Sequence, residues 1–316
     1  PPYRSRLSPA RRASRAGAEK FHSALVPHAG TTSRRFDEVC ALGEVVARLS
    51  EVAGSQVTAD VAILWDYQSY WATLGPAMPS ELVDYADLAR DIHRALRESH
   101  IATDVVSPTA DLSSYKVLFV PTLYMVTDEQ IAAITAAVES GTHLVVTYFS
   151  GIADQSDRIR LGGYPGAFRE LLGVRSQEFA PLRSGERVAL SGGGYGTIWS
   201  EDLDLVGAEA VASYLDGPVA GRPAITRLVE QGSSRWYVAT RLDGQRLGAL
   251  IEQVLADAAV RPVLHGVDPT VDVVRRQSQA GSWVFAVNGA AAPARISVRG
   301  YDLITDSPVN GVLELE

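Results

Sequence analysis

Cysteine is almost absent from this chain of 316 residues, which contains only Cys40. One thiol excludes an intramolecular disulfide framework and a zinc site built from four cysteines. We therefore expect a cytoplasmic protein, and we predict neither a metal ion nor a cofactor. Cys40 lies among apolar residues of a predicted helix, which favours a buried structural thiol.

Long apolar runs and excess positive charge are also missing. No run approaches the ~20 apolar residues that span a bilayer, so we expect no membrane partner. The net charge of −8 argues against nucleic acid as a partner, because that binding depends on Lys and Arg. Residues 1–15 are a local exception, rich in Arg and Ser and containing three prolines. We interpret them as a disordered tail rather than an organelle transit peptide.

The hydrophobic pattern alternates between short apolar runs and amphipathic stretches. The apolar runs predict buried strands at 61–65, 117–120 and 144–149. The amphipathic stretches predict helices at 36–52, after Ser80, after Thr127 and at 245–258. Apolar strands that alternate with helices indicate an α/β domain with an open, mostly parallel sheet flanked by helices.

The second half of the chain is richer in strands. Within the α/β domain, β-type composition occurs at 209–214, 224–230 and 235–240. After Pro262, short β-rich runs at 271–275, 283–287 and 294–298 are separated by Gly, Ala, Pro and Asn. They predict a small antiparallel β-sandwich at the end of the chain.

The segment from Ala13 to Gly30 contains the most specific motif. It reads Gly-Ala-Glu-Lys-Phe-His-Ser-Ala at 17–24 and Pro-His-Ala-Gly at 27–30, with Arg12 and Ser14 before them. This arrangement resembles the segment that closes the catalytic barrel of the glycoside hydrolase family 42 β-galactosidases. Further landmarks of that family follow in order at 59–72, 120–128, 144–174 and 236–243.

The resemblance implies three parts. Residues 1–30 are expected to be a tail and the remnant of the end of the barrel. Residues 31–262 are expected to be an α/β trimerisation domain with a fold like that of class I glutamine amidotransferases. Residues 263–316 are expected to be a small C-terminal β-domain.

The resemblance also implies a parent reaction, the hydrolysis of terminal β-D-galactosyl residues with retention, carried out by two glutamates. Those glutamates lie on barrel strands that would precede residue 1. The resemblance therefore implies a chain that has no catalytic residue, is inactive alone, assembles as a homotrimer, and binds a β-galactoside only if the barrel is present.

Two pairs of candidate site residues follow from the same resemblance. Glu19 and His22 are three residues apart, which on a helical turn directs both side chains the same way. The family uses matching residues to hold galactose hydroxyls; the alternative is a helix-capping pair. Asp66 and Trp71 follow the first strand of the α/β domain, in a loop that we interpret as a pocket rim or a subunit interface. The alternative for Trp71 is a packing anchor at the edge of the sheet.

Two functions of other classes stay open. An amidotransferase-like hydrolase needs a nucleophile on a sharp turn after a strand, and Ser150 follows the run 144–149 without a G-x-S-x-G motif. No histidine occurs between His143 and His265 to act as its base. A sugar-binding module is the second alternative, and its candidate aromatic residues are Trp71, Trp199 and Trp236.

Two further polar motifs carry weaker signals. The acids at 178, 186, 201, 202 and 204 lie in polar stretches, so we expect solvated side chains rather than the carboxylate pair of a glycosidase. Gly162 and Gly163 precede a predicted helix, but no Lys-Ser/Thr follows them, which argues against a phosphate loop.

Overall fold

The computed structural model describes residues 12–22 and 24–316. The helices are α1 (Arg34–Arg48), α2 (Tyr67–Thr73), α3 (Tyr85–Glu98), α4 (Asp128–Glu139), α5 (Arg169–Leu172) and α6 (Gly244–Asp257). The strands of the first half are β1 (Gln56–Val57), β2 (Val61–Leu64), β3 (Thr103–Val106), β4 (Val117–Val120) and β5 (His143–Thr147). Six strands follow α5, namely β6 (Val174–Phe179), β7 (Val188–Ala189), β8 (Tyr195–Thr197), β9 (Glu201–Leu205), β10 (Glu209–Ser213) and β11 (Pro223–Glu230). The last six are β12 (Ser233–Val238), β13 (Arg241–Leu242), β14 (Val271–Ser278), β15 (Gly281–Asn288), β16 (Ala294–Asp302) and β17 (Ser307–Leu315).

The largest sheet has seven strands in the order β10-β11-β12-β5-β4-β2-β3. The five strands from β12 to β3 are parallel, and β11 and β10 extend them in antiparallel fashion. Three small antiparallel pairings, β6–β9, β7–β8 and β8–β13, accompany it. The predicted α/β class with a mostly parallel sheet is therefore confirmed as a mixed α/β fold.

Both faces of the central sheet are buried, and alternate residues of each strand enter different cores. Val61 and Ile63 belong to a cluster that includes apolar residues of α3 and α6. Ala62 and Leu64 belong to a second cluster, with residues of α4 and α5. This follows from the period of two in a β-strand. Each large aliphatic side chain fully buried in this way contributes roughly 1.5–3 kcal/mol.

Side-chain caps stabilise the starts of α2, α3, α4 and α6. Thr127 and Gln130 form a reciprocal capping box at the start of α4, as the sequence predicts. The start expected after Ser80 is wrong, because α3 begins at Tyr85 and its cap is the Asp84 carboxylate, which accepts from the Asp87 N–H. The Ser80 hydroxyl accepts from the Leu82 N–H in a turn before the helix, and the Tyr85 hydroxyl donates to the Leu64 carbonyl at 3.0 Å.

Helix α1 departs from its expected packing. None of its fifteen residues, all of which the structure describes, is buried. Leu42 and Val46 on its apolar face are 62% and 59% exposed. The prediction of a buried thiol at Cys40 is wrong, since this residue is exposed. An apolar face indicates which side of a helix can pack, and in α1 that side is not enclosed by the described residues.

The residues form two compact units. The larger contains Val57–Arg275 and Val284–Ala294, and the smaller contains the described residues up to Gln56, Arg276–Trp283 and Arg295–Leu315.

The two ends of the chain differ from the sequence-based expectations. Near the C-terminus, β16 pairs with β17, a strand that was not predicted from the sequence. Ala13 is buried and its N–H donates to the Val26 carbonyl, so the predicted disordered tail is wrong from Arg12 onward. The remainder of that tail, residues 1–11, lies outside the described residues. In the described part of the chain, no helix is long and apolar enough to cross a membrane.

Candidate functional site

Asp66 is the N-cap of helix α2, directly after strand β2, and Trp71 lies within that helix, so the predicted loop is a helix at this position. The Asp66 carboxylate accepts from the Ser69 N–H at 2.8 Å and so caps the helix. The Ser69 hydroxyl donates to the Met125 carbonyl at 2.8 Å, which ties α2 to the segment after β4. Trp71 is 58% exposed, which does not fit a packing anchor. Helix α2 therefore presents an indole at the carboxyl edge of the parallel strands, where open α/β sheets bind ligands.

Five aromatic rings form a cluster that includes three residues of α2. Trp65 stacks on Tyr85 with 4.5 Å between ring centroids, and it lies 5.2 Å from Tyr70 and 5.8 Å from Tyr67. Tyr67 in turn lies 5.8 Å from Trp71. Tyr67 and Trp71 face solvent, while Tyr85 is buried. The buried ring of Tyr85 thus supports, through Trp65, the exposed rings of Tyr67 and Trp71.

A groove of about 710 Å³ lies beside this cluster, between α3 and the edge strand β3. Its apolar wall is formed by Ile63, Trp65, Tyr70, Ala86, Ala89 and Val105. Its other lining residues are basic, Arg90, His93, Arg94 and Arg97, and none of the described residues that line it is acidic. We call this feature the α3 groove. No local sequence pattern indicates this groove, because its lining comes from four separate segments.

Glu19 and His22 lie in the smaller unit. The His22 N–H donates to the Glu19 carbonyl at 3.0 Å, so the two residues share a single turn rather than a helix. Both side chains are exposed. The structure thus brings this pair together in one turn, while Asp66 and Trp71 belong to the larger unit.

The turn after β5 holds an aromatic residue where a nucleophile would be needed. Phe149 has a left-handed backbone with φ of 59°, and its ring stacks on Tyr124 at 5.0 Å. Ser150 is buried, and its oxygen accepts from the Leu123 N–H at 3.0 Å. His143 lies at the opposite end of β5, where its Nδ1 accepts from the hydroxyl and the N–H of Ser234. Because the serine and the histidine lie at opposite ends of one strand, this region cannot perform Ser–His chemistry.

Glu201 is the unexpected residue of the larger unit. It was predicted to be solvated, but its side chain is fully buried. Its Oε1 accepts from Trp199 Nε1 at 2.8 Å and from the Tyr237 hydroxyl at 2.8 Å. Burial raises the pKa of the Glu201 carboxyl to about 7, and hydrogen bonds from Trp199, Tyr237 and Ser176 oppose that rise. The prediction failed because Glu201 and Leu203 share the inward face of β9.

The other acids are in water or paired. Glu178 and Glu186 are exposed, as the sequence predicts, and Asp202 and Asp204 both pair with Arg222. None of them forms a carboxylate pair with Glu201. Within residues 12–22 and 24–316, no three His, Cys, Asp or Glu side chains form a group that could hold a metal ion.

Two further alternatives meet structural obstacles. Trp199 and Trp236 are fully buried, so neither can stack on a sugar at the surface. At Gly162 the space for a side chain is occupied by the Arg169 guanidinium. The helix that follows this glycine pair, α5, has only four residues.

Residues 59–261 match the family model of the β-galactosidase trimerisation domain. The match covers more than half of the chain and contains α2, the α3 groove and the seven-stranded sheet. This chain belongs to the glycoside hydrolase family 42 β-galactosidases. The resemblance stated from the sequence is thereby confirmed.

Relatives in family 42 match almost all of this chain and less than half of their own length. A β-galactosidase from Arthrobacter sp. is 43% identical over 96% of this chain and 44% of the relative. The crystal structure of a β-galactosidase from Bacillus circulans sp. alkalophilus has a TM-score of 0.89 at 29% identity, covering 96% of this chain and 47% of that one. The β-galactosidase from Rahnella sp. R3 has a TM-score of 0.85 at 31% identity, with coverage of 96% and 46%. The chain thus spans about half the length of these relatives.

Proposed function

We propose that this chain is the assembly portion of a family 42 β-galactosidase and that it joins three copies through its larger unit. The match of residues 59–261 to a trimerisation domain is the observation that carries the proposal. Exposed Tyr67 and Trp71 support it, because aromatic residues are enriched in the cores of protein interfaces. We infer that Asp66 and Trp71 form part of this interface or of the rim of a neighbouring sugar pocket.

We propose that the complete enzyme hydrolyses terminal β-D-galactosyl residues with retention and that its two catalytic glutamates are not among these residues. Retaining glycosidases need two carboxyl groups ~5–5.5 Å apart around the glycosidic bond. Glu201 does not fit that role, because it is sealed from water and its neighbours are Trp199, Tyr237 and Ser176. Glu19 and His22, both exposed, are inferred to contact galactose hydroxyls only when a barrel completes the pocket.

The finer architecture belongs to the same proposal. We infer the parts 1–30, 31–262 and 263–316, an amidotransferase-like topology for the second part and a β-sandwich for the third. The five parallel strands and the sharp turn at Phe149 support the amidotransferase likeness without its chemistry. A cytoplasmic location is inferred from the single cysteine.

Sedimentation equilibrium of the purified chain tests the assembly. We expect a species near three times the 33.9 kDa chain mass at tens of micromolar. A clean monomer at those concentrations contradicts the proposal. In parallel, a chromogenic β-galactoside should give no turnover above buffer, and turnover that survives the replacements Glu19→Ala and His22→Ala would refute the inferred absence of catalytic residues.

The alternative of an amidotransferase-like hydrolase is tested by Ser150→Ala. We expect this replacement to change no hydrolase activity, since Ser150 is buried and acts as a hydrogen-bond acceptor for Leu123. For the sugar-binding alternative, calorimetry with galactose and lactose should record no heat of binding. A measured affinity that Trp71→Ala removes would favour the sugar-binding module instead.

A further inference from the structure

Asparagine is rare in this chain, and its two positions have the same neighbours. Only Asn288 and Asn310 occur among the 316 residues, and each is the middle residue of a Val-Asn-Gly tripeptide. A main-chain nitrogen reaches the preceding side-chain amide most easily in Asn-Gly, because glycine has no Cβ to hinder the approach. Asparagine is also one of the thermolabile residues of proteins. The two sites therefore share their local chemistry, and the fold decides how each one behaves.

Asn288 is held at both of the groups that would react. Its Nδ2 donates to the Ala292 carbonyl at 2.8 Å, and its Oδ1 accepts from the Ala290 N–H at 3.0 Å. The N–H of the next residue, Gly289, donates to the Thr270 carbonyl at 3.1 Å. The amide and the nitrogen that would attack it are thus both bound to other groups, and these hydrogen bonds oppose a reaction between them.

Asn310 has a different environment. It lies on the exposed face of β17, a strand in which half-buried and exposed residues alternate from Ser307 to Leu315. Among residues 12–22 and 24–316, its side chain has no hydrogen-bond or ion-pair partner. Its amide is therefore free to turn toward the main chain of the next residue.

The strand around Asn310 receives little support from its own sheet. β16 and β17 form a sheet of two strands, and an isolated pair of that size is only marginally stable. Gly311 has φ of 125°, which is far from the extended backbone of a regular strand. No described atom lies within 4 Å of the position that a Cβ of Gly311 would take. The backbone at 310 and 311 therefore has room to rotate toward the geometry that an attack requires.

We propose that Asn310 is a site of spontaneous deamidation and that the fold protects Asn288 from the same reaction. The Gly311 main-chain nitrogen attacks Cγ of Asn310 and forms a five-membered succinimide ring. The bond between Cγ and Nδ2 breaks, and Nδ2 leaves as ammonia with the proton of the Gly311 N–H. Water then opens the ring at either carbonyl, which gives aspartate or isoaspartate.

Isoaspartate at position 310 changes β17 in two ways. It adds a negative charge, and it places one more carbon atom in the main chain. The extra atom shifts the alternation that puts Leu313 and Leu315 on the half-buried face. The pairing of β17 with β16 should therefore weaken as this product accumulates.

Peptide mapping by mass spectrometry tests the assignment, with Asn288 as the internal control. In the folded chain, incubated in mildly alkaline buffer, the peptide with residue 310 should convert at least roughly tenfold faster than the peptide with residue 288, because the hydrogen bonds at Asn288 must break first. In urea, where both tripeptides are unfolded, the two rates should be similar. Equal rates in the folded chain, or no conversion at 310 while urea permits it, would overturn the proposal.

A variant tests the effect on the strand pair. Asn310→Gln keeps an amide on the exposed face, but its attack requires a larger ring that forms more slowly, so conversion at position 310 should be lost. Hydrogen exchange of β16 and β17 should become faster during incubation of the parent chain and stay constant in Asn310→Gln. Constant exchange in a parent chain that has converted would overturn the inferred weakening of the pair.

Discussion

Removing the ionisable group at Glu201 should stabilise the protein at neutral and alkaline pH. The carboxyl is fully buried and accepts hydrogen bonds from Trp199 and Tyr237, neither of which carries a charge. Glu201→Gln keeps the shape and an oxygen acceptor for both donors. The glutamine amide does not ionise, so the variant has no carboxyl group at this position whose ionisation is opposed by burial in the folded state.

The size and sign of this change in stability follow from the pKa of Glu201. Burial raises that pKa from 4.5 to about 7 in the folded protein. Below pH 4.5 the carboxyl is protonated in both states, and its stabilising contribution is fully present. Between pH 4.5 and 7 only the unfolded state loses the proton, and stability falls by about 1.4 kcal/mol per pH unit. The loss is complete above pH 7 and amounts to roughly 3 kcal/mol.

Urea unfolding between pH 4.5 and 8.5, followed by tryptophan fluorescence, measures this difference. The gain in unfolding free energy for Glu201→Gln over the parent should be near zero at pH 4.5 and rise to at most about 3 kcal/mol at pH 8. Glu252→Gln, on the exposed face of α6, is the control and should show no such pH dependence. A difference that is constant with pH, or one that decreases toward pH 8, would refute the conclusion that burial favours the neutral form of the Glu201 carboxyl.

Two predictions concern the backbone of the larger unit. Thr127→Ala removes the capping box with Gln130 and should lower the unfolding free energy in urea by about 1 kcal/mol. A loss of unfolding free energy below a few tenths of a kcal/mol would contradict a stabilising role for this cap. Gly151→Ala should cost more than Gly193→Ala in the same assay, by about 1–3 kcal/mol. Both glycines have positive φ, but a Cβ at Gly151 would lie 2.6 Å from the Phe168 ring, whereas the space at Gly193 is open. Equal losses for the two glycine variants would show that the ring can move aside.

Much of the central sheet can be read from the sequence because one physical signal dominates there. Strands β2, β4 and β5 are buried on both faces, and each is therefore a short, continuous apolar run. The capping of α4 by Thr127 is equally readable, since the cap and its partner lie three residues apart. The resemblance to the family was carried mainly by the motif at 17–30, which lies outside the central sheet.

Other features depend on tertiary contacts that no local pattern contains. Ser80 and Asp84 are both good helix caps, and in the structure Asp84 caps α3 while the Ser80 hydroxyl accepts from the Leu82 N–H of the preceding turn. Glu201 belongs to a polar run, Glu-Asp-Leu-Asp-Leu, whose period of two places it beside Leu203 on the inner face. That alternation could have predicted the burial of Glu201. No sequence signal indicates the exposure of Cys40, because an apolar helix face does not reveal whether another element covers it.

The position of β12 in the sheet has a consequence for synthesis of the chain. β12 pairs in parallel with β5, although residues 148–232 separate the two strands. Strands β2 to β5 can therefore pair with each other as soon as they have left the ribosome, but the outer edge of β5 stays open until Ser233 and its neighbours follow. Contacts between such distant segments form slowly, and an unpaired strand edge can recruit strands of other chains. While residues 148–232 are translated, the open edge of β5 is thus a site at which the protein can aggregate.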